Sequence, residues 1–341
     1  MTIDQRAQSS SRGRGTATGR GTARRRVVAA VLAASALGGG LVAAEPVVSA
    51  APAAASSTWE PVRASGWCLS RTGPVVRRAG YQSRQLRLYS TPFRTTVDAR
   101  GALWAGTNYP VSLSGRPYAC VSGGRYRGTW ATTRSWAFMH GIAAIRSTNY
   151  APVVESVRIR NYGDGIRFSY GAQSWRVRRA YLSYLRDDCI ENDWSYSGVV
   201  DDSLFDGCYN AFSSRSYDTQ ANRRNGSNDV VTVQNSLVRL RPMKSVYKNR
   251  GLVPGHAGFF KWSDTGPKLV LRNNVFRADQ DASTVGLAIP AGKLAGCSNN
   301  VMVWLGKGPY PEKLPSCFRV TRDVRVWDDA ALAWKKAHGW A

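Results

Sequence analysis

Acidic residues gather in one part of a chain that is otherwise strongly basic. Of 341 residues, 47 are Lys or Arg and 22 are Asp or Glu, a formal net charge of +25. Eight of those acids nevertheless fall between Asp164 and Asp206. Three phrases carry most of them: Asp164-Gly165-Ile166-Arg167-Phe168, Asp187-Asp188-Cys189-Ile190-Glu191-Asn192-Asp193 and Asp206-Gly207-Cys208-Tyr209-Asn210. Carboxyl groups crowded together repel, so at least one keeps its proton near neutrality and can act as an acid beside a neighbour that acts as a base. Asp187, Asp188 and Glu191 are also hard oxygen ligands of the kind Ca²⁺ takes, so a bound Ca²⁺ is a second chemistry open to them.

Such chemistry needs the phrases to meet in space, and their spacing says how. Gly165 to Cys189 is 24 residues and Cys189 to Cys208 is 19. That return is too long for a hairpin and lacks the apolar period of a crossover helix. It suits one circuit of a coil of short parallel strands, each circuit stacked on the last. A second phrase keeps the same beat, a short apolar strand closed by two polar residues. It runs through Val157–Asn161, Trp175–Arg179, Gly198–Asp202, Val231–Asn235, Leu269–Asn273 and Ala295–Asn299. Asn at such a bend tolerates left-handed backbone and can bond to its neighbours along a stack. Asp201-Asp202 lies in this column and reads as turn chemistry.

The expected fold is therefore all-β, a right-handed parallel β-helix over residues 111–327. An irregular N-terminal cap over 51–110 would cover its open end. The stretch 328–341 reads as a short C-terminal helix, with Asp at its start and Lys, His and Gly at its end. Long loops are expected near 214–228 and 241–258. Alternation along each strand points Arg167, Glu191, Asp193, Arg215 and Lys261 outward when Ile166, Phe168, Ile190 and Phe212 point inward. Asp164, Asp187 and Asp188 would stand at the bend just before that sheet. His256 reads as a loop residue.

Residues 1–50 read as an export signal. A polar, Arg-rich lead ends in Arg24-Arg25-Arg26 and is followed by an uncharged Ala/Val/Leu/Gly run and Val48-Ser49-Ala50. The paired arginines resemble twin-arginine signals, and a general secretory signal or an uncleaved anchor are the other readings. Cleavage near Ala50 would remove seven Arg, Asp4 and Glu45, leaving about +20 on a secreted, monomeric body with no membrane span. A body this basic attracts polyanions, acidic polysaccharide before nucleic acid, since no nucleic-acid module is visible. Six cysteines suit an oxidising compartment. Chain order pairs Cys68 with Cys120 and Cys297 with Cys317, while Cys189 and Cys208 could be bridged or stacked as small apolar residues, stacked thiols being the expectation.

The repeat resembles the right-handed parallel β-helix of the pectin-lyase-like superfamily over about residues 115–327. Asp164-Gly165-Ile166 and Asp187-Asp188-Cys189-Ile190 also resemble two motifs of polygalacturonase-type glycoside hydrolases. That resemblance implies cleavage of a polyuronate with inversion, Asp188 or Asp187 as the general acid, and the other Asp with Asp164 activating water. The sequence departs from the family where Gly207-Cys208-Tyr209-Asn210 stands in place of Gly-His-Gly. A Ca²⁺-assisted lyase, with Arg167, Arg215 or Lys261 as the base, is a second enzymatic reading. A non-catalytic β-helix that adheres to wall polymer or another anionic surface is the alternative to both.

Overall fold

The computed structural model describes residues 66–215, 224–244 and 254–340. The export-signal reading lies outside those residues, as do parts of both expected long loops. The described chain winds through three walls of parallel strands, so the all-β parallel β-helix expected from the repeats is the fold formed. The first wall stacks Leu86–Thr91, Val111–Gly115, Ala143–Ser147, Asp164–Phe168, residues 188–191, residues 210–214 and Phe260–Trp262. The second runs from residues 75–77 to Leu294–Ser298, and the third from residues 79–82 to Phe318–Thr321.

Apolar residues at alternate positions close the interior. On the first wall Val111, Ile145, Ile166, Ile190, Phe212 and Phe260 lie in register and are all buried. On the second wall the matching column is Val97, Val121, Val154, Val177, Val200, Val233 and Leu271. β-Branched side chains fit a pleated, half-buried surface, and each one fully buried contributes roughly 1.5–3 kcal/mol.

The bend between the second and third walls shows why Asn recurs in the sequence. Ser156, Arg179, Asp202, Asn235, Asn273 and Asn299 each close a second-wall strand with φ between 46° and 54°. Asn235 donates to Asp201 Oδ1 at 2.9 Å, Asn273 to Asn235 at 3.2 Å and Asn299 to Asn273 at 3.0 Å. Asp201 and Asp202 are thus turn residues, as the repeat suggests. Val157–Asn161 is the exception to the phrase. It belongs to the third wall, where Arg158 pairs with Tyr181, and the second-wall strand of that circuit is Val153–Glu155.

Three features differ from the sequence reading. Parallel strands begin at Val75, so the irregular part of the N-terminal cap narrows, among the described residues, to 66–74. Cys189 and Cys208 are bridged rather than stacked as thiols. Pairing of Leu185 with Cys208 brings the two chains together, and a Cα–Cα distance of 5.6 Å lies within bridging range. Cys68–Cys120 and Cys297–Cys317 pair as expected, and three disulfides indicate an oxidising environment. The C-terminal helix starts earlier than expected and spans Arg325–Ala337. It buries Trp327, Ala331 and Trp334 against Tyr181, Leu204, Leu237 and Val303 on the outside of the third wall. Among the described residues no helix is long and apolar enough to cross a membrane.

Candidate functional site

Outward positions of the first wall line up rung by rung as Ser112, Arg146, Arg167, Glu191, Ser213 and Lys261. Neighbouring strands lie about 4.8 Å apart, so charged groups distant in sequence become neighbours. Arg167 donates from Nε to Asp164 Oδ2 at 3.0 Å and from Nη1 to the Tyr109 hydroxyl at 2.7 Å. It also pairs with Glu191 at 2.7 Å. Lys261 Nζ donates to Asp188 Oδ2 at 2.8 Å, and Asn210 donates to Asp188 Oδ1, also at 2.8 Å.

Strand irregularity decides where the paired aspartates point. Leu185 faces Cys208 and Asp188 faces Asn210, so the strand Tyr181–Glu191 carries one extra residue between these pairs. A bulge of this kind re-aims side chains. Asp187 and Asp188 are therefore inside a strand, whereas the sequence suggested a bend before it. The glycines beside Asp164 serve close approach. A Cβ on Gly163 would lie 1.8 Å from the Met139 carbonyl, and one on Gly165 would lie 2.6 Å from the Cys189 carbonyl.

Residues 128–142 form an insertion between the third and first walls. Its single helical turn, Trp136–Met139, is capped by Ser135 and buries Met139. Arg186, itself buried, donates to the Ala131 carbonyl at 2.9 Å and holds the insertion against the coil. Trp136 then donates from Nε1 to Asp187 Oδ1 at 2.9 Å.

The result is a groove of about 530 Å³. Asp187, Glu191, Asp193, Arg146, Arg167 and Lys261 give it its charge, while Trp136, Tyr170 and Trp194 give it aromatic faces. Asp164 and Asp188 do not open onto it. They are 0 % and 2 % exposed and sit behind Arg167 and Lys261. Arg215 is exposed, and its amide donates to Asp193 Oδ1 at 3.1 Å. Ser213 donates its hydroxyl to the same oxygen. His256 is buried away from the groove, with Nδ1 2.7 Å from the Ala257 carbonyl.

Burial and mutual repulsion move the acids upward. Burial pushes the Asp187 carboxyl up to about 6, against the pull of Lys261 and with help from Asp164. It pushes Asp188 up to about 7, again against Lys261 and with help from Asp187. Burial and the adjacent Asp164 hold Glu191 well above the usual carboxylate range. Burial alone would weaken the charge on Lys261, but Asp188, Asp187 and Asp193 together raise it well above an ordinary lysine.

Asp164, Asp188 and Glu191 each offer an oxygen within 4.8 Å of the other two. Asp164 and Glu191 already pair with Arg167, and Asp188 with Lys261, so a Ca²⁺ among them would sit beside two fixed positive charges. The donor set, whether these three or Asp187, Asp188 and Glu191, does not fit that ion well.

Several contributors were not visible as site residues in the sequence: Trp136, Tyr170, Trp194, Arg146 and Asn210; Ser213 was read as outward-facing from its alternation with Phe212. Arg146 had a signal, since Ile145-Arg146 repeats Ile166-Arg167 one circuit earlier. Trp136 had none, because its place depends on how the insertion folds back. Compared with known proteins, the chain matches no family model, no curated protein and no solved structure.

Proposed function

We propose that the groove binds and hydrolyses an acidic, uronate-type polysaccharide outside the cytoplasm, in the manner of polygalacturonase-type β-helix enzymes. The observation that carries this reading is the meeting of three groove-facing carboxyls, three basic side chains and three aromatic faces on one wall. Arg146 would hold a sugar carboxylate, with Arg167 and Lys261, already paired, adding positive charge along the groove, and Trp136, Tyr170 and Trp194 would take the sugar faces. Asp187 retains a proton up to about pH 6 and can pass it to the glycosidic oxygen as the bond to the anomeric carbon breaks. Asp193 would take a proton from the water that attacks that carbon. Asp164 and Asp188 act from behind, fixing Arg167 and Lys261.

Hydrolysis is favoured over elimination by the state of the bases. A lyase needs a neutral base, and Lys261 is held firmly protonated by its carboxylates while Arg167 is fully tied to Asp164, Glu191 and Tyr109. Assay of the secreted protein on a panel of polyuronates tests the proposal. New reducing ends should appear without an ultraviolet-absorbing unsaturated end, and a chelator should have no effect. Asp187→Asn should lower turnover by roughly 10²–10⁴-fold while substrate affinity is kept. Affinity without turnover in the native protein would replace this reading with adhesion to an anionic polymer.

A further inference from the structure

A second cavity, of about 600 Å³, lies on the other side of the 128–142 insertion from the groove. Thr129 and Thr132 of that insertion line this cavity, whereas Trp136 and His140 line the groove. Its floor is the outer face of the third wall. There Arg125 pairs with Arg158 and Arg127 with Arg160, so Arg-Tyr-Arg on one rung sits directly against Arg-Ile-Arg on the next. Like charges directly opposite one another destabilise a sheet. Arg241 adds a further guanidinium from a later circuit.

Among the described residues lining the cavity, carboxylates are scarce beside Arg127, Arg158, Arg160 and Arg241. Asp206 is the one acid among those described residues, and it already has Arg239 and Lys335 each at 3.6 Å. Arg158 is held in place by uncharged partners. Its Nη1 donates to the Ile159 carbonyl at 2.9 Å and to Ser183 Oγ at 3.0 Å, and its guanidinium stacks 3.6 Å above the Tyr181 ring. Burial lowers its pKa to about 10, with the neighbouring Arg160 adding to the shift and Asp206 relieving it in part. Arg127 and Arg160 are exposed. This is a preorganised set of forked donors with unsatisfied charge, in a cavity of the size that takes a small ligand.

We propose that this cavity is a binding site for an acidic oligosaccharide, whose carboxylate or sulfate groups engage Arg127, Arg158, Arg160 and Arg241. Guanidinium forks match planar or tetrahedral oxyanions bidentately. In-register rungs present them about 4.8 Å apart, which suits charges repeated along a chain rather than a single ion. The hydroxyls of Thr129, Thr132 and Ser183 lie among the guanidinium groups, and Tyr184 offers a ring. That mixture suits a hydroxylated, charged ring better than a bare phosphate. The site is separate from the carboxylate groove and does not need the groove to be catalytic.

Calorimetric titration with a hexameric oligouronate and, separately, a sulfated hexasaccharide tests the site, using Asp187→Asn as the parent to prevent turnover. Arg127→Gln with Arg160→Gln should remove one binding equivalent per chain, or weaken it by at least tenfold, with the melting temperature unchanged or raised, because both residues are exposed and oppose each other. Arg241→Gln alone should weaken the same equivalent several-fold. Arg176→Gln with Arg272→Gln, exposed on the second wall, should remove none. Which hexamer binds more tightly identifies the anionic group. The proposal is overturned if the Arg127/Arg160 variant keeps every equivalent, if the second-wall variant loses as much, or if a DNA hexamer binds as tightly as both sugars. The groove reading fails separately, through absent turnover in the native protein, and leaves this result intact.

Discussion

At the bend between the second and third walls, Asn235, Asn273 and Asn299 pass one hydrogen bond from rung to rung. On the first wall, equivalent places are taken by Arg146, Arg167, Glu191, Ser213 and Lys261. Both columns come from the same stacking at the same rung spacing. An amide carries a donor and an acceptor, so copies of it satisfy each other and leave no net charge. The charged column cannot do so. Five carboxyls, of Asp164, Asp187, Asp188, Glu191 and Asp193, meet chiefly Arg167 and Lys261, and burial first, then mutual repulsion, makes Asp164, Asp187, Asp188 and Glu191 hold their protons unusually well. Stacking alone builds a bend; a stack of unlike charges builds a place where protons can be moved.

The largest difference between the columns should appear when one partner is removed. Lys261→Met leaves Asp188 buried opposite no cation, and loss of one partner of a buried pair costs about 3–5 kcal/mol. Urea unfolding at pH 8 measures it. A loss below about 1 kcal/mol there would mean that Asp188 is neutral without help from Lys261, and the contrast between the columns would weaken.

The pH dependence of stability sharpens the same contrast. Asp187 and Asp188 titrate near 6 and 7 in the folded chain, above the 3.8 of an ordinary Asp. Between those values the folded chain holds more protons than the unfolded one. Their contribution is full below the unfolded pKa and is lost as pH rises through 6 and 7. The urea midpoint should therefore fall from pH 5 to pH 8. Asp187→Asn should remove the part that falls between about 3.8 and 6, on the order of 3 kcal/mol over that span and about 1.4 kcal/mol of it above pH 5.

Covalent closure beneath the charged column comes next. Cys189→Ala with Cys208→Ala opens a bridge spanning 19 residues, and loop entropy predicts a cost of about 3 kcal/mol. Thermal melting checks it, and an unchanged melting temperature would show that stacking alone fixes the two rungs. The smallest effect belongs to the amide column. Asn273→Ala removes one rung of the ladder and places a Cβ-bearing residue without a polar side chain at φ 54°, which should cost about 1–2 kcal/mol. A neutral result would show that water replaces the ladder bond.

Much of this contrast was legible in the residue order. The polar pairs ending in Asn marked the bend, because few residues accept left-handed backbone. Alternation about Ile166 and Ile190 put Arg167, Glu191 and Asp193 on the outer face, and Phe259–Trp262 offered Lys261 or Phe260 there. Asp164 and Asp188 were placed on the right rungs, but their sealing behind Arg167 and Lys261 was not visible. Neither was the extra residue between Leu185 and Asp188, since a bulge follows from how two strands settle against each other. The bridging of Cys189 and Cys208 depended on side-chain direction, which a repeat length does not specify.

Composition and periodicity thus determined the walls, the bends and the facing of most charged residues, because strand alternation and backbone tolerance are local properties. The tertiary structure decided what those charges do. It set which acids face the groove and which lie behind it, brought Trp136 onto Asp187 from 51 positions away, and put Arg125 and Arg127 against Arg158 and Arg160. Burial and the summed field of neighbours fix the proton on each group, and both depend on chain segments that only the completed coil brings together.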